Sequence, residues 1–174
     1  MTVTTTVTVE TPEGVRPAVH AVLYQVEPKP AAAPRKRTPP LELRCTSGGV
    51  EPEVSVLVGS RRVVVLNDRA ALTHVRIEQA SGLVLLTATL VSRGQRTPQV
   101  RLRPGRVRVT CRVEGASTDG FVLALPHTRY AVSDEAGAVH FEADEGSRWR
   151  AWHPRLGRID YTQTASASLS RPTF

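Results

Sequence analysis

Short stretches in which apolar and polar residues alternate run through most of this chain, and turn residues separate them. Residues 2–10 read TVTTTVTVE, and valine occupies every second position from Val54 to Val58. A period of two puts alternate side chains on opposite faces of a strand, and β-branched Val and Thr favour that conformation. Thirteen prolines and twelve glycines among 174 residues supply many turns. About ten short strands at regular spacing predict an all-β fold, either a sandwich or a barrel.

The composition excludes several classes of protein. Apolar residues make up 40% of the chain and charged residues 22%, values typical of a globular domain with a buried core. No run approaches the roughly 18 consecutive apolar residues of a membrane span. There is no GxGxxG or P-loop motif. Two cysteines are too few for a disulfide scaffold, and Cys45 and Cys111 lie too far apart in the sequence to be the Cys pair of a zinc finger. Residues 1–10 lack the basic start and apolar block of a signal peptide, so the sequence as written predicts a cytoplasmic location, or a periplasmic one if a leader is missing.

Shifts in composition divide the chain into five predicted segments. Residues 27–40 read EPKPAAAPRKRTPP and cannot form a helix or a central strand, because proline lacks the backbone donor. We predict an exposed loop there, and deleting Lys29 to Thr38 should change the melting temperature little. The five segments are N-terminal strands over 1–26, the Pro-rich loop over 27–40, a sandwich core over 41–126, an appended β-segment packed on the sandwich over 127–163 and a frayed tail over 164–174.

Turn residues between alternating arms predict two hairpins. Residues 100–110 read VRLRPGRVRVT and would turn at Pro104-Gly105, and residues 130–142 would turn at Asp134 to Gly137. In the first hairpin, four arginines would project from one side of both arms and the apolar residues from the other. These arginines are Arg101, Arg103, Arg106 and Arg108. Residues 83–91, LVLLTATLV, are the most apolar run, and we predict a strand because Thr and Val occur throughout it.

Basic residues exceed acidic ones by 23 to 16, which gives a formal net charge of +7. All but Lys29 and Lys36 are arginines, the better partners for carboxylate and phosphate groups. A basic patch can meet nucleic acid, anionic lipid or an acidic protein face, and it can also be a solvated face that keeps the protein soluble. The four arginines of the predicted hairpin form the candidate interaction surface. Aromatic residues, only 5% of the chain, are scarce for base stacking, which disfavours single-stranded nucleic acid as the partner.

The order of several motifs resembles the cupredoxin family of copper proteins, in its plastocyanin-like and methylamine-utilisation-like members. The resemblance covers roughly residues 15 to 160 and implies a Greek-key β-sandwich of cupredoxin type with a short appended β-segment at the C-terminus. The matching residues are Glu51-Pro52-Glu53, the strand 54–58, Gly59, the strand 63–66, Asn67-Asp68, His74-Val75, Pro104-Gly105, the strand 107–111, Tyr130-Ala131, Ser133 to Gly137 and Trp152-His153-Pro154.

The copper ligands are where this sequence departs from that family. A type 1 site needs two imidazoles and a thiolate, with a weak axial ligand such as methionine. His74 matches the first histidine and Cys111 the cysteine, but Glu114 stands three residues later, where the second histidine is expected. The only methionine is Met1. The resemblance therefore implies a degenerate site of His74, Cys111 and Glu114 that binds neither copper nor any other cofactor. His74 would then be a hydrogen-bonded histidine at a loop–strand junction.

No catalytic constellation emerges from the sequence, and we expect the protein not to be an enzyme. The acidic pairs Asp134-Glu135 and Asp144-Glu145 sit beside glycine, so turn chemistry explains them better than acid–base catalysis. Ser47 lacks the flanking residues of a nucleophile elbow. Cys45 and Cys111 would form one disulfide in an oxidising compartment, or they would remain two buried thiols.

The predicted function is a non-enzymatic structural or protein-interaction module that has lost copper binding and serves as a subunit of a larger assembly. One alternative is a copper-binding electron-transfer protein with an altered site at His74, Cys111 and Glu114. A second alternative is a basic module that binds nucleic acid or another polyanion. Metal analysis separates the first two functions, and salt-dependent binding to DNA tests the third.

Overall fold

The regular structure of the described part of the chain consists of β-strands. The computed structural model describes residues 2–11, 13–26, 39–59, 61–144, 146–154, 157–158 and 163–164. Among these residues, no helix is long and apolar enough to cross a membrane. The predicted all-β fold is confirmed. The strands are β1 (Thr2–Thr6), β2 (Thr8–Thr11), β3 (Gly14–Pro17), β4 (Val22–Val26), β5 (Leu41–Thr46), β6 (Gly49–Glu51), β7 (Val54–Val58), β8 (Arg62–Asn67), β9 (Thr73–Gln79), β10 (Val84–Leu90), β11 (Val100–Arg101), β12 (Gly105–Val113), β13 (Ala116–Leu125), β14 (Tyr130–Val132), β15 (Ala138–Glu142), β16 (Arg148–His153), β17 (Gly157–Arg158) and β18 (Gln163–Thr164).

The chain divides into two compact units, and the second of these, residues 32–127, is a β-sandwich. Its larger sheet has the strand order β10-β9-β12-β13-β7, and its smaller sheet has the order β11-β8-β5-β6. Each sheet mixes antiparallel pairs with one parallel pair, β13 with β7 and β5 with β8. Alternating apolar residues from both sheets form one core, which confirms the predicted sandwich. The fully buried members include Leu43, Val63 and Val65 from the smaller sheet and Ile77, Val109 and Val122 from the larger.

The first unit is built from both ends of the chain, residues 1–31 and 128–174. β4 pairs with β14 and β16, and β1 pairs with β15. Trp149 lies in its core with Val3, Leu23 and Val139, and its ring centroid is 4.3 Å from that of Phe141. The N-terminal strands and the C-terminal β-segment, which the sequence suggested as separate pieces, therefore share a core.

The single strand predicted over residues 2–10 is two strands, β1 and β2, that separate at Val7. The buried Val7 bonds outside both strands, because its N–H donates to the Gly137 carbonyl at 2.8 Å and its carbonyl accepts the Ala18 N–H at 2.9 Å. Two other predicted segments fall largely outside the described residues. These are the Pro-rich loop, of which only Pro39 and Pro40 are described, and the tail, of which only Thr164 is described, in β18.

The hairpin predicted around Pro104-Gly105 is wrong. β11 pairs with β8 in the smaller sheet, whereas β12 pairs with β9 and β13 in the larger one. The chain crosses between the sheets at the buried Leu102, whose N–H donates to the Arg61 carbonyl at 2.6 Å. Two-residue hairpin turns need a positive φ at their first position, which the proline ring forbids, so Pro104 favours this crossing over a tight turn.

The arms of the second predicted hairpin also pair elsewhere, β14 with β4 and β15 with β1. The turn between them follows the predicted chemistry. The Asp134 Oδ1 atom accepts the N–H groups of Ala136 at 2.9 Å and Ala138 at 2.8 Å, which is the local capping that favours aspartate in turns.

Candidate functional site on the larger sheet

His74 and Cys111 lie on neighbouring strands but on opposite faces of the larger sheet. Cys111 is opposite Val75 of β9 and, like Val75, is buried in the sandwich core. His74 is opposite Arg112 and exposed, with its Nδ1 atom 2.9 Å from the Thr89 Oγ1 atom. Because side chains alternate between the faces of a strand, the imidazole points away from the Cys111 sulfur. The structure places His74 as the hydrogen-bonded residue at the start of a strand that the sequence suggested.

Cys111 forms a disulfide with Cys45, with 5.9 Å between their Cα atoms. Cys45 is on β5, so the bond joins the two sheets through the core, where the two residues are 0% and 2% exposed. A disulfide sulfur is not the thiolate that a type 1 copper site requires. Of the two alternatives that the sequence left open, a disulfide and two buried thiols, the structure contains the disulfide. Within the described ranges, no three His, Cys, Asp or Glu side chains are grouped so as to hold a metal ion.

Glu114 lies in the two-residue turn that joins β12 to β13. Its φ is +49°, and that of Gly115 is +86°, so both turn residues are left-handed as in a type I′ hairpin. The turn brings Glu114 to the outer side of the larger sheet. There Glu114, His74 and Arg112 line a shallow depression of about 530 Å³, together with Ala71, Leu72 and Gly115.

The structure separates the four arginines of the predicted interaction surface. Arg106 and Arg108 alternate with buried valines on β12, so they lie on the outer face of the larger sheet. Arg101 belongs to the smaller sheet, and Arg103 lies in the crossing segment that follows it. The prediction that these four arginines form one surface on two paired strands is therefore wrong.

Two further arginines complete the patch on the larger sheet. Arg112 continues the alternation of β12, and Arg76 is exposed on the neighbouring β9. The same period of two that indicated Arg106 and Arg108 extends to Arg112, and this signal could have identified it. The assignment of Arg76 to the same patch could not be predicted without knowing that β9 and β12 are neighbours in the sheet. We refer to Arg76, Arg106, Arg108 and Arg112 as the outer arginine face.

Carboxylates offset only part of the charge on the outer arginine face. The Arg76 Nε atom is 2.8 Å from the Glu78 Oε2 atom, and Glu78 is directly opposite Arg108. Asp119 on β13 accepts the Thr110 hydroxyl at 2.6 Å. In the part of the chain that the structure describes, Arg106, Arg108 and Arg112 form no ion pair. Glu114 adds a third carboxylate beside Arg112. Four guanidinium groups against the carboxylates of Glu78, Asp119 and Glu114 leave the face net positive.

No protein-family model and no curated protein matches this chain. Three solved structures similar to it are copper proteins. A novel purple cupredoxin from Nitrosopumilus maritimus is 16% identical, with a TM-score of 0.41, over 49% of this chain and 99% of that one. A Cu-containing nitrite reductase, NirK, from Thermus scotoductus SA-01 is 14% identical, with a TM-score of 0.44, over 59% of this chain and 26% of the reductase.

A mutant of amicyanin in its reduced Cu(I) form is 13% identical, with a TM-score of 0.42, over 59% of this chain and 98% of that one. This chain thus spans only about a quarter of the reductase, but nearly all of the two smaller proteins. This chain is thus similar to solved structures of the cupredoxin type.

Proposed function

We propose that this protein is a non-enzymatic binding module, a cupredoxin-like sandwich without copper that docks an acidic protein partner. The observation that carries the proposal is the outer arginine face, on which Arg106, Arg108 and Arg112 project from one strand without an ion pair among the described residues. Like charges on one face of a sheet repel each other, so an acidic partner that approaches them gains attraction and relieves that repulsion. Guanidinium groups also bind carboxylates in a two-point geometry that favours a protein partner rich in Asp and Glu.

The donor chemistry supports a role without copper. Cys111 is held in the disulfide with Cys45, and His74 lies on the opposite face of the sheet. We expect purified protein, incubated with Cu(II) before and after reduction, to remain without the intense visible band near about 600 nm of a copper–thiolate site. One tightly bound copper per chain with such a band, lost in Cys111→Ser, would favour the electron-transfer alternative.

The role of the outer arginine face is tested by two matched double variants. Arg108→Ser/Arg112→Ser removes two exposed charges from this face, and Arg101→Ser/Arg103→Ser removes two exposed charges from elsewhere in the sandwich unit. With poly-L-glutamate as the probe at about 0.15 M salt, we expect the first variant to lose about tenfold in affinity and the second less than about threefold, because a Debye length of about 8 Å screens charges that lie outside the contact. Equal losses in the two variants would mean that only net charge matters, and would contradict a specific face.

Duplex DNA titrated in parallel addresses the polyanion alternative. Binding to phosphates falls steeply with salt, because condensed counterions are released from the DNA. Tighter binding to DNA than to poly-L-glutamate, with such a salt slope and the same sensitivity to Arg108→Ser/Arg112→Ser, would replace the acidic protein by nucleic acid as the preferred partner.

A further inference from the structure

β10 is an edge strand of the larger sheet, because β9 is its only neighbour among the described residues. An edge strand directs alternate backbone N–H and C=O groups away from the sheet, where they can pair with another strand. Proteins usually protect such an edge with charged residues or proline. Residues 83–91 contain neither, and Leu83 and Val91 are 51% and 63% exposed.

The open part of this edge is short and regular. A β-bulge between Val84 and Leu86 limits it at one end. At the other end, the Val91 N–H donates to the Gln95 Oε1 atom at 2.8 Å and is no longer available to a further strand. Residues 86–90 lie between these limits and pair with β9 in unbroken register from Leu86–Ile77 to Leu90–Thr73.

The sequence of residues 86–90 is LTATL, which reads the same in both directions. An antiparallel pair of identical strands has a two-fold axis between the strands, and here that axis can pass midway between Ala88 and Ala88 of the partner subunit. Thr87 then lies opposite Thr89 of the partner subunit, and Leu86 lies opposite Leu90 of the partner subunit. Threonine pairs across strands are favourable, and Leu86 and Leu90 already face the core side of the sheet.

We propose that two copies of this chain pair through β10 and join their larger sheets into one continuous sheet. A second copy fits this edge because an uncharged palindromic strand is complementary to itself in both register and chemistry. The paired stretch is only five residues long, so we expect a reversible dimer with a dissociation constant roughly in the micromolar range rather than an obligate one.

The test uses the full chain in sedimentation equilibrium from about 1 to about 200 µM, a range that brackets such a dissociation constant. Thr87 and Thr89 are exposed on the outer face, so charged substitutions there leave the core intact. Thr87→Lys/Thr89→Lys places like charges opposite each other in the dimer, and we expect its dissociation constant to rise at least tenfold. Thr87→Lys/Thr89→Glu instead places each lysine opposite a glutamate of the partner subunit, and we expect dimerisation to return.

A wild-type chain that stays monomeric over this range would overturn the proposal. A dimer that the two-lysine variant leaves unchanged, or that the lysine–glutamate variant does not restore, would place the interface elsewhere and also overturn it. Hydrogen exchange supplies a measurement that needs no variant. We expect the outward amides of residues 86–90 to exchange more slowly as the protein concentration rises, and exchange that is independent of concentration would count against the pairing.

Discussion

At the scale of single residues, Asn67 organises one end of the sandwich. It is fully buried at the end of β8, and both atoms of its side-chain amide are engaged. Its Oδ1 atom accepts the Arg69 N–H and the Thr73 hydroxyl, each at 3.0 Å. Its Nδ2 atom donates to the carbonyls of Ala71 at 3.0 Å, Ser92 at 3.3 Å and Leu90 at 3.4 Å. The loops before β9 and after β10 are therefore held to β8 by one side chain.

Asn67→Asp should destabilise the fold by about 3 kcal/mol, because it removes the donors and places an acceptor against three carbonyl oxygens. Burial would raise the pKa of the introduced carboxyl above its value in the unfolded chain. The loss should thus be smallest below the unfolded pKa and should grow as the pH rises through the folded pKa.

Urea unfolding at several pH values measures this loss. Asp68→Asn is the control, because it removes only the exposed ion pair with Arg93 (3.0 Å) and should cost less than about 1 kcal/mol. A loss for Asn67→Asp as small as that of the control would show that the network contributes little to stability.

At the scale of strands, β13 packs closely against Val50 of the smaller sheet at Gly120. A Cβ atom built at Gly120 would lie 2.4 Å from the Val50 Cγ1 atom and 2.9 Å from the Val50 Cβ atom. Gly120→Ala should therefore force the sheets apart locally and cost about 1–3 kcal/mol of unfolding free energy. Gly48→Ala is the control, since a Cβ atom built at Gly48 would lie at an ordinary contact distance of 3.6 Å from its nearest neighbour, the Glu51 Oε1 atom. Chemical denaturation compares the two, and equal stabilities would mean that the core accommodates the methyl group.

The strands themselves were largely predictable, but their partners were not. Alternation indicates β12, because Val107, Val109 and Cys111 all point into the core. Alternation carries no information about which strand lies alongside, so the arginines of β11 and β12 were wrongly placed on one hairpin. The same limit explains why parts of the candidate site could not be predicted. The pairing of Cys45 with Cys111 and the addition of Arg76 to the outer arginine face both depend on contacts between distant parts of the chain.

At the scale of the whole molecule, the two units have separate cores, and only the sandwich unit contains the disulfide. Calorimetry should resolve two unfolding transitions. A reductant should lower the melting temperature of only the transition that belongs to the sandwich unit. The bond spans 66 residues of sequence, so its loss should cost about 4 kcal/mol through the greater entropy of the unfolded chain. Cys45→Ala/Cys111→Ala should be insensitive to reductant. If both transitions shifted alike on reduction, the units would not unfold independently.

The interleaving of the two units also orders events on the ribosome. The sandwich unit is continuous in the chain, whereas β4 ends at Val26 and its first partner, β14, begins at Tyr130. At about 5–20 residues per second, β4 waits roughly 5–20 s for that partner to be synthesised. The sandwich acquires all its own strands during that interval. Nascent chains should therefore carry a folded sandwich while β1 and β4, whose partners follow the sandwich in the chain, are still unpaired. Unpaired strands of this kind are natural substrates for chaperones during synthesis.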